Sequence, residues 1–325
     1  MYYNGQKEWR HRSMARVFFK ATEDALNNIT EQFKLVHPLR TSMLYTRNAV
    51  SQIATETPTA DDDYFKTVFD PEGNVHGTGY REAFLNTPWE LQEEQLAWLL
   101  LNNLFAIHEG WAESIFCERF ENKGYAKDTF VKYLEKKGLS AKFTSYYVTS
   151  SKRSQLLTNA FFDVYKDASR LDFSKIDNYM LMYRYFKAAR NCFMHGNCIA
   201  SQWLLDEYAA YSAIATTTDL DVAEVPVVIP PVLGQRLHLN IRGVIGFSDF
   251  MQRILIISDI NLLQTLAAED EFISRRPSHN LLTLSANSSR AKAQIGQVCV
   301  SAGFLRPNWS EELQRYMVAH RFISR

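Results

Sequence analysis

The sequence predicts a mainly α-helical protein with one small β-hairpin, and three observations carry this prediction. Apolar residues that follow Thr87 recur at steps of three and four, which is the period of an amphipathic helix. Helix-start signals precede two long segments, at Thr87-Pro88-Trp89-Glu90 and at Ser174 with Asp177. β-Branched residues and prolines are concentrated between residues 222 and 245, which confines the strand prediction to that stretch.

The first part of the chain is predicted to alternate helices with one polar loop. Residues 9–53 indicate one or two helices, broken near His37-Pro38 because proline cannot continue a helix freely. Residues 55–80 are acidic and rich in turn formers, which predicts a loop. A long helix then starts at Thr87, and a shorter one is predicted from Lys127 to Lys137.

The remaining helices are predicted from the same signals. A second long helix runs from Ser174 to about His195, and a further helix covers residues 202–215. The last long helix is predicted over residues 248–272. The tail, residues 281–325, is predicted to form two small helices around residues 303–307.

The predicted hairpin separates two helical regions. Residues 236–242 alternate between polar and apolar side chains, which is the period of a half-buried strand, and residues 225–229 are its predicted partner. The predicted organisation is therefore a helical bundle over residues 1–216, a hairpin insertion over 217–247, and C-terminal helices over 248–325 that pack on the bundle.

Composition excludes several classes of protein. The chain has 325 residues, of which 46% are hydrophobic, and it carries 36 basic and 36 acidic side chains, unlike a disordered or low-complexity chain. It has no run of about 20 apolar residues and no recognisable secretion signal, which predicts a cytoplasmic protein without a membrane partner. The cysteines are predicted to be free thiols in a reducing compartment: Cys117, Cys192, Cys198 and Cys299.

Charge is segregated along the chain although the net charge is zero. Residues 54–94 are strongly acidic, whereas residues 123–153 are basic with interleaved aromatic side chains. Such a basic, aromatic segment can neutralise phosphates and stack on bases, so Lys136, Lys137 and Lys142 are predicted to bind RNA. The alternative is a solvated surface whose aromatic side chains point into the core.

The stretch from Tyr183 to Asn197 concentrates the chemically useful side chains. Residues four apart share a helix face, which places Lys187 beside Asn191 and Asn191 beside His195. Arg190 lies about 100° round the helix, and its side chain is long enough to reach the same cleft. A separate apolar row can anchor the helix: Met182, Phe186, Ala189 and Phe193.

This set of side chains suits phosphodiester chemistry without a metal. Histidine can move a proton near neutral pH. Arginine can stabilise the charge that develops on a phosphate, and Asn191 can orient the histidine or bind a phosphate oxygen. The alternative is a buried helix in which Arg190 pairs with an acid and His195 is an ordinary core residue.

The segment Arg190-Asn191-Cys192-Phe193-Met194-His195 resembles the signature of the HEPN superfamily, which is arginine, a polar residue that is often asparagine, three variable residues and histidine. That family places the signature late in a long helix of an antiparallel helical bundle. The resemblance covers about residues 87–215, with the first helices in support. It does not extend to the predicted hairpin or to the tail.

The resemblance implies a metal-independent RNA endonuclease that needs no cofactor. Carried over to this chain, the resemblance implies that Arg190 stabilises the scissile phosphate and that His195 acts in general acid–base catalysis. Asn191 would orient the histidine or the phosphate. Helical geometry adds Lys187 and Tyr183 as substrate contacts. The resemblance also implies a homodimer, RNA as substrate, a toxin, anti-phage or stress role, and an antitoxin or regulatory partner. Some relatives are inactive dimerisation or partner-binding modules, which is the alternative.

Other candidate sites are weaker in the sequence. A zinc site needs four ligands, and no fourth ligand is evident in the sequence near Cys192, His195 and Cys198. The acidic run of residues 61–63 is interpreted as a solvated loop rather than a metal site, and His108 as a core or interface residue. A nucleic-acid-binding regulator that uses the basic tail is a further alternative.

Overall fold

The computed structural model describes residues 17–73, 79–115, 153–277 and 282–324. These ranges are mainly helical, as the sequence predicts. Within them, no helix has both the length and the apolar character that crossing a bilayer requires.

The described ranges contain twelve α-helices. They are α1 (Lys20–Glu56), α2 (Asp62–Phe69), α3 (Trp89–Glu113), α4 (Gln155–Leu157), α5 (Asp163–Ser169), α6 (Ile176–His195), α7 (Gln202–Ser212), α8 (Thr217–Leu220), α9 (Ile241–Leu262), α10 (Leu266–Ser274), α11 (Ser288–Ser301) and α12 (Glu311–Ala319). Two π-helical turns (Glu82–Asn86 and Thr158–Phe162) and one 3-10 turn (Phe173–Lys175) lie between them. Two short parallel strands, β1 (Leu282–Thr283) and β2 (Ile323–Ser324), pair with each other.

Helices α3, α6 and α9 form the centre of a large apolar core, to which α1 and the C-terminal helices also contribute. Trp98, early in α3, stacks on Phe193, late in α6, with ring centroids 4.5 Å apart. Phe105, later in α3, contacts Tyr183, earlier in α6, at 5.2 Å. The two helices are therefore antiparallel. Phe247 of α9 closes the core by stacking on Phe186 at 4.4 Å.

A second, small core lies at the far end of α1. Val50 of α1, Ala60 just before α2, Phe65 of α2 and Tyr80 pack together there, and all four are buried. The residues of this cluster are close in sequence, and it is separate from the large core.

A buried carboxylate ties the start of α1 to the last turn of α9. Asp259 accepts hydrogen bonds from the backbone N–H groups of Phe18 (2.6 Å) and Phe19 (3.0 Å). These groups lie at the N-terminus of α1, where Phe19 contributes no side-chain cap of its own. The carboxylate is fully buried, and burial raises the pKa of Asp259 to about 7, although its hydrogen bonds oppose that shift.

Several predicted boundaries are corrected. Helix α1 runs through Pro38 without the predicted break, since Pro38 is exposed and solvent can satisfy the carbonyl group that its missing N–H leaves. The predicted acidic loop of residues 55–80 contains α2. Pro88 rather than Thr87 occupies the cap position of α3, and Asp172 rather than Ser174 caps the 3-10 turn that leads into α6.

The predicted hairpin of residues 217–247 is also wrong. The stretch begins with α8 and ends in α9, and residues 222–240 between them form no regular strand. Residues 226–227 lie against α9, so closely that a Cβ atom at Gly243 would come within 2.1 Å of the Val227 carbonyl oxygen. Arg236 instead bridges to Ile199 in antiparallel fashion.

The C-terminal third differs from the prediction in detail. Asn240 caps α9 by accepting a hydrogen bond from the Arg242 N–H group, so this helix starts at Ile241 and not at residue 248. It ends at Leu262, and α10 follows as a separate helix. The two small helices predicted for the tail are confirmed as α11 and α12.

Candidate active site at the end of helix α6

The buried and exposed faces of α6 agree with the pattern read from the sequence. The predicted apolar row lies in the core, with Met182, Phe186 and Ala189 buried and Phe193 half-buried against Trp98. His195, the last residue of the helix, is exposed. The imidazole is therefore available to a substrate, which excludes the alternative of a core histidine at this position.

Arg190 is partly buried and lies close to two polar neighbours. Its side chain is 24% exposed, and Nη1 lies 3.5 Å from Oδ1 of Asn191 and 4.0 Å from Oε1 of Glu109. The contact with Glu109 is at the outer limit of an ion pair, and a half-exposed pair of this kind contributes little energy. Among the described residues, none accepts a hydrogen bond from its buried Nε. That nitrogen is out of reach of a ligand, so only the exposed part of the guanidinium can donate to an anion.

Two residues predicted to contact substrate lie in or next to the core. Tyr183 is 1% exposed and packs on Phe105 and His108, so it offers no surface to a polynucleotide, and that prediction is wrong. The Lys187 side chain is 9% exposed, with Nζ 3.7 Å from Oε1 of Glu109. It faces the same carboxylate as Arg190, and this arrangement favours a positioning role over the predicted substrate contact.

The three predicted RNA-binding lysines, Lys136, Lys137 and Lys142, lie outside the described residues, as does the helix predicted over residues 127–137. Their role therefore stays a prediction from the charge pattern.

A tight turn follows His195 and fixes the end of the helix. The N–H groups of Gly196 and Cys198 both donate to the carbonyl oxygen of Cys192, at 2.8 and 3.2 Å. Asn197 and Cys198 both have left-handed backbones, with φ of 50° and 63°. Left-handed backbone is a common way to end a helix, and asparagine adopts it more readily than most residues. The predicted end of this helix near His195 is confirmed.

Beside this turn lies a charged cluster that the sequence analysis missed. Glu94 of α3 is buried, with a side chain only 6% exposed, and its Oε2 lies 2.7 Å from Nδ1 of His238. Its Oε1 accepts a hydrogen bond from Nε1 of Trp98 (3.2 Å) and lies 3.6 Å from Nη2 of Arg236. The alternating pattern of residues 236–242 was the available signal, because it places Arg236 and His238 on one exposed face.

The weaker candidate sites do not gain support. Within the described residues, no three histidine, cysteine or acidic side chains are grouped as a metal site would require. Asp61 caps α2 and Asp62 accepts a hydrogen bond from the backbone of Arg81, so these residues form a helix start rather than the predicted solvated loop. His108 is buried as predicted; burial, and secondarily the charge of Lys187, lowers its pKa to about 3.

Comparisons with protein-family models, with curated proteins and with solved structures give no match. The functional argument therefore depends on the residues and their geometry.

Proposed function

We propose that this protein is a metal-independent RNA endonuclease with a helical bundle of HEPN type. The observation that carries the proposal is the placement of an exposed His195 and a partly exposed Arg190 at the same end of α6. Asn191 contacts Arg190 and completes the Arg-Asn-x-x-x-His pattern. An imidazole and a guanidinium together supply proton transfer and phosphate stabilisation, which suffice for cleavage next to a ribose 2′-hydroxyl.

The reaction is an internal transesterification. The 2′-hydroxyl loses its proton, the 2′-oxygen forms a bond to phosphorus, and the bond from phosphorus to the 5′-oxygen breaks. The 5′-oxygen gains a proton, so the products are a 2′,3′-cyclic phosphate and a 5′-hydroxyl. Arg190 stabilises the charge on the phosphate, and His195 transfers a proton. The substrate is RNA, and two chains form a homodimer. The activity serves a toxin, anti-phage or stress response, and an antitoxin or another regulatory protein controls it.

The alternative function is a catalytically inactive dimerisation or partner-binding module. The observation that favours it is Glu109, whose carboxylate faces both Lys187 and Arg190 and offsets part of their positive charge. Such a protein would bind a partner or a nucleotide without cutting RNA.

The purified protein is expected to cleave RNA in the presence of excess EDTA. The reason is that both proposed groups are side chains of the protein, and neither requires a metal ion. The measurement is gel analysis of a labelled single-stranded RNA with EDTA, followed by mapping of the ends. The 3′ fragment should start with a 5′-hydroxyl, and the 5′ fragment should end in a 2′,3′-cyclic phosphate.

An Arg190→Ala protein purified in parallel controls for contaminating nucleases, and it should be inactive. Cleavage that requires added Mg²⁺, or that is equal in the variant, would contradict the proposal. Binding of RNA without any cleavage would favour the alternative module.

A further inference from the structure

The charged cluster around Glu94 lies next to the end of α6, and it supplies a second exposed imidazole. We propose that His238, oriented by Glu94, is the general base that takes the proton from the 2′-hydroxyl, and that His195 is the general acid for the leaving 5′-oxygen. This inference rests on the proposed function and deepens it, because it gives one chain both proton-transfer groups.

Backbone hydrogen bonds join the two histidine-bearing segments. The N–H group of Leu237 donates to the carbonyl oxygen of Cys198 at 2.7 Å, and the N–H group of Ala200 donates to that of Gln235 at 2.8 Å. His195 precedes Cys198 by one tight turn, and His238 directly follows Leu237. The path from His195 to His238 consists of one tight turn to Cys198, one hydrogen-bonded step across to Leu237 and one further residue. Its length puts the two histidine Cα atoms within roughly 15 Å of each other.

Side-chain packing links the same two segments a second time. Trp98 donates a hydrogen bond to Glu94 through its indole nitrogen, while its ring stacks on Phe193, two residues before His195. The carboxylate that holds His238 is therefore fixed against the helix that carries His195. Both imidazoles are exposed, with the His238 side chain 51% accessible. Two exposed imidazoles on adjoining segments can approach one phosphodiester from opposite sides.

The contact with Glu94 assigns the role of base to His238. An ionised carboxylate accepts hydrogen bonds and donates none, so the imidazole nitrogen that faces it, Nδ1, carries the hydrogen. The other nitrogen, Nε2, then has the lone pair that accepts a proton. A buried carboxylate that orients an imidazole in this way is the arrangement of a general base.

The remaining roles follow from the direction of the reaction. In-line displacement puts the entering 2′-oxygen and the leaving 5′-oxygen on opposite sides of phosphorus. His238 accepts the proton of the 2′-hydroxyl, and the imidazolium of His195 donates a proton to the 5′-oxygen as its bond to phosphorus breaks. The two histidines exchange protons with solvent afterwards, so no co-reactant is consumed. Arg190 and the half-exposed Arg236 contribute guanidinium groups near the phosphate.

The test compares two substrates with the same sequence, one of which has sulfur in place of the 5′-bridging oxygen at the cleavage site. A thiolate leaves without a proton, so the sulfur substrate needs a base but no acid. On the ordinary RNA, His195→Ala and His238→Ala should each lower the single-turnover rate by at least about 100-fold. On the sulfur substrate, His195→Ala should recover to near the wild-type rate, while His238→Ala should stay slow.

Glu94→Gln tests the positioning role of the carboxylate. It should lower kcat on both substrates while KM and the unfolding curve stay close to wild type, because the base is misoriented but the fold is intact. A fall in stability that accounts for the whole loss of activity would overturn this role.

Mixing the two histidine variants tests whether one chain carries both groups. If both imidazoles of a site come from the same chain, a mixture of His195→Ala and His238→Ala proteins contains no complete site and should stay inactive. If each site took one imidazole from a partner, mixed dimers would regain activity, and the single-chain assignment would be overturned.

The outcomes separate this inference from the proposed function. Wild-type cleavage by His238→Ala, together with inactive Arg190→Ala and His195→Ala proteins, would overturn the inference and leave the endonuclease intact. Recovery of His238→Ala rather than His195→Ala on the sulfur substrate would overturn the assigned roles. Unimpaired cleavage by both Arg190→Ala and His195→Ala would remove the endonuclease proposal itself.

Discussion

RNA cleavage by the His195→Ala protein is expected to fall by a factor of about 100 to 10,000, because the proton that this imidazole transfers must then come from water. His195 is exposed at the end of α6, so its removal leaves no cavity in the core. The measurement is the single-turnover rate on a labelled RNA, together with a urea unfolding curve for each protein. Unfolding should be unchanged within about 0.5 kcal/mol, as for most exposed positions.

His37→Ala is the matched control, since His37 is an exposed histidine on α1 that belongs to neither charged site. It should cleave at the wild-type rate. Arg190→Lys adds a second comparison: it keeps the positive charge but loses the planar fork of donors, so it should remain well below wild type. Equal rates for His195→Ala, His37→Ala and the wild type would show that the end of α6 is not the reaction centre.

Asp259→Ala is expected to lower the free energy of unfolding by about 3–5 kcal/mol. The substitution removes the acceptor for two buried N–H groups at the start of α1, and an unsatisfied buried donor costs about 1–3 kcal/mol. Loss of the carboxylate volume in a fully buried position adds a cavity term. Urea unfolding at constant pH measures the change. A loss below about 1 kcal/mol would contradict the structural role.

The pH dependence of stability provides an independent check on Asp259. Burial raises its folded pKa to about 7, whereas an unfolded aspartate titrates near its ordinary value of about 4. Folding therefore favours the protonated form of Asp259. The stability that this group contributes is fully present below about pH 4 and is lost as the pH rises to about 7. The slope is on the order of 1 kcal/mol per pH unit between these values.

Asp259→Asn should lack this slope, because its amide does not titrate. The difference in unfolding free energy between the wild type and Asp259→Asn should change between pH 4 and 7 and level off above that. A constant difference across the range would show that the carboxylate titrates normally.

The sequence predicted the helices that carry the candidate site, because those helices are amphipathic and have clear ends. The apolar stripe that begins after Thr87 and the segment up to His195 are confirmed as α3 and α6. Spacing along one helix also indicated that Arg190 and His195 belong together. It could not show which long side chains reach solvent, and Tyr183 was misplaced for that reason.

The sequence could not identify partners that are distant along the chain. Alternation in residues 236–242 predicted which side chains are buried and which are exposed. It carries no information about what the segment lies against, so the predicted pairing with residues 225–229 was wrong. The Glu94–His238 contact joins residues 144 positions apart, and the Asp259–Phe18 contact spans 241. Tertiary packing creates both contacts, and no local pattern indicates that these residues are partners.

The two cores differ in how much of the chain must exist before they can form. The cluster at the far end of α1 uses only residues between Val50 and Tyr80 and a few neighbours, so it needs little loop closure. The start of α1 has to wait for Asp259, which a ribosome adds some 240 residues later. During synthesis, the far end of this helix can therefore be assembled while its beginning is still uncapped.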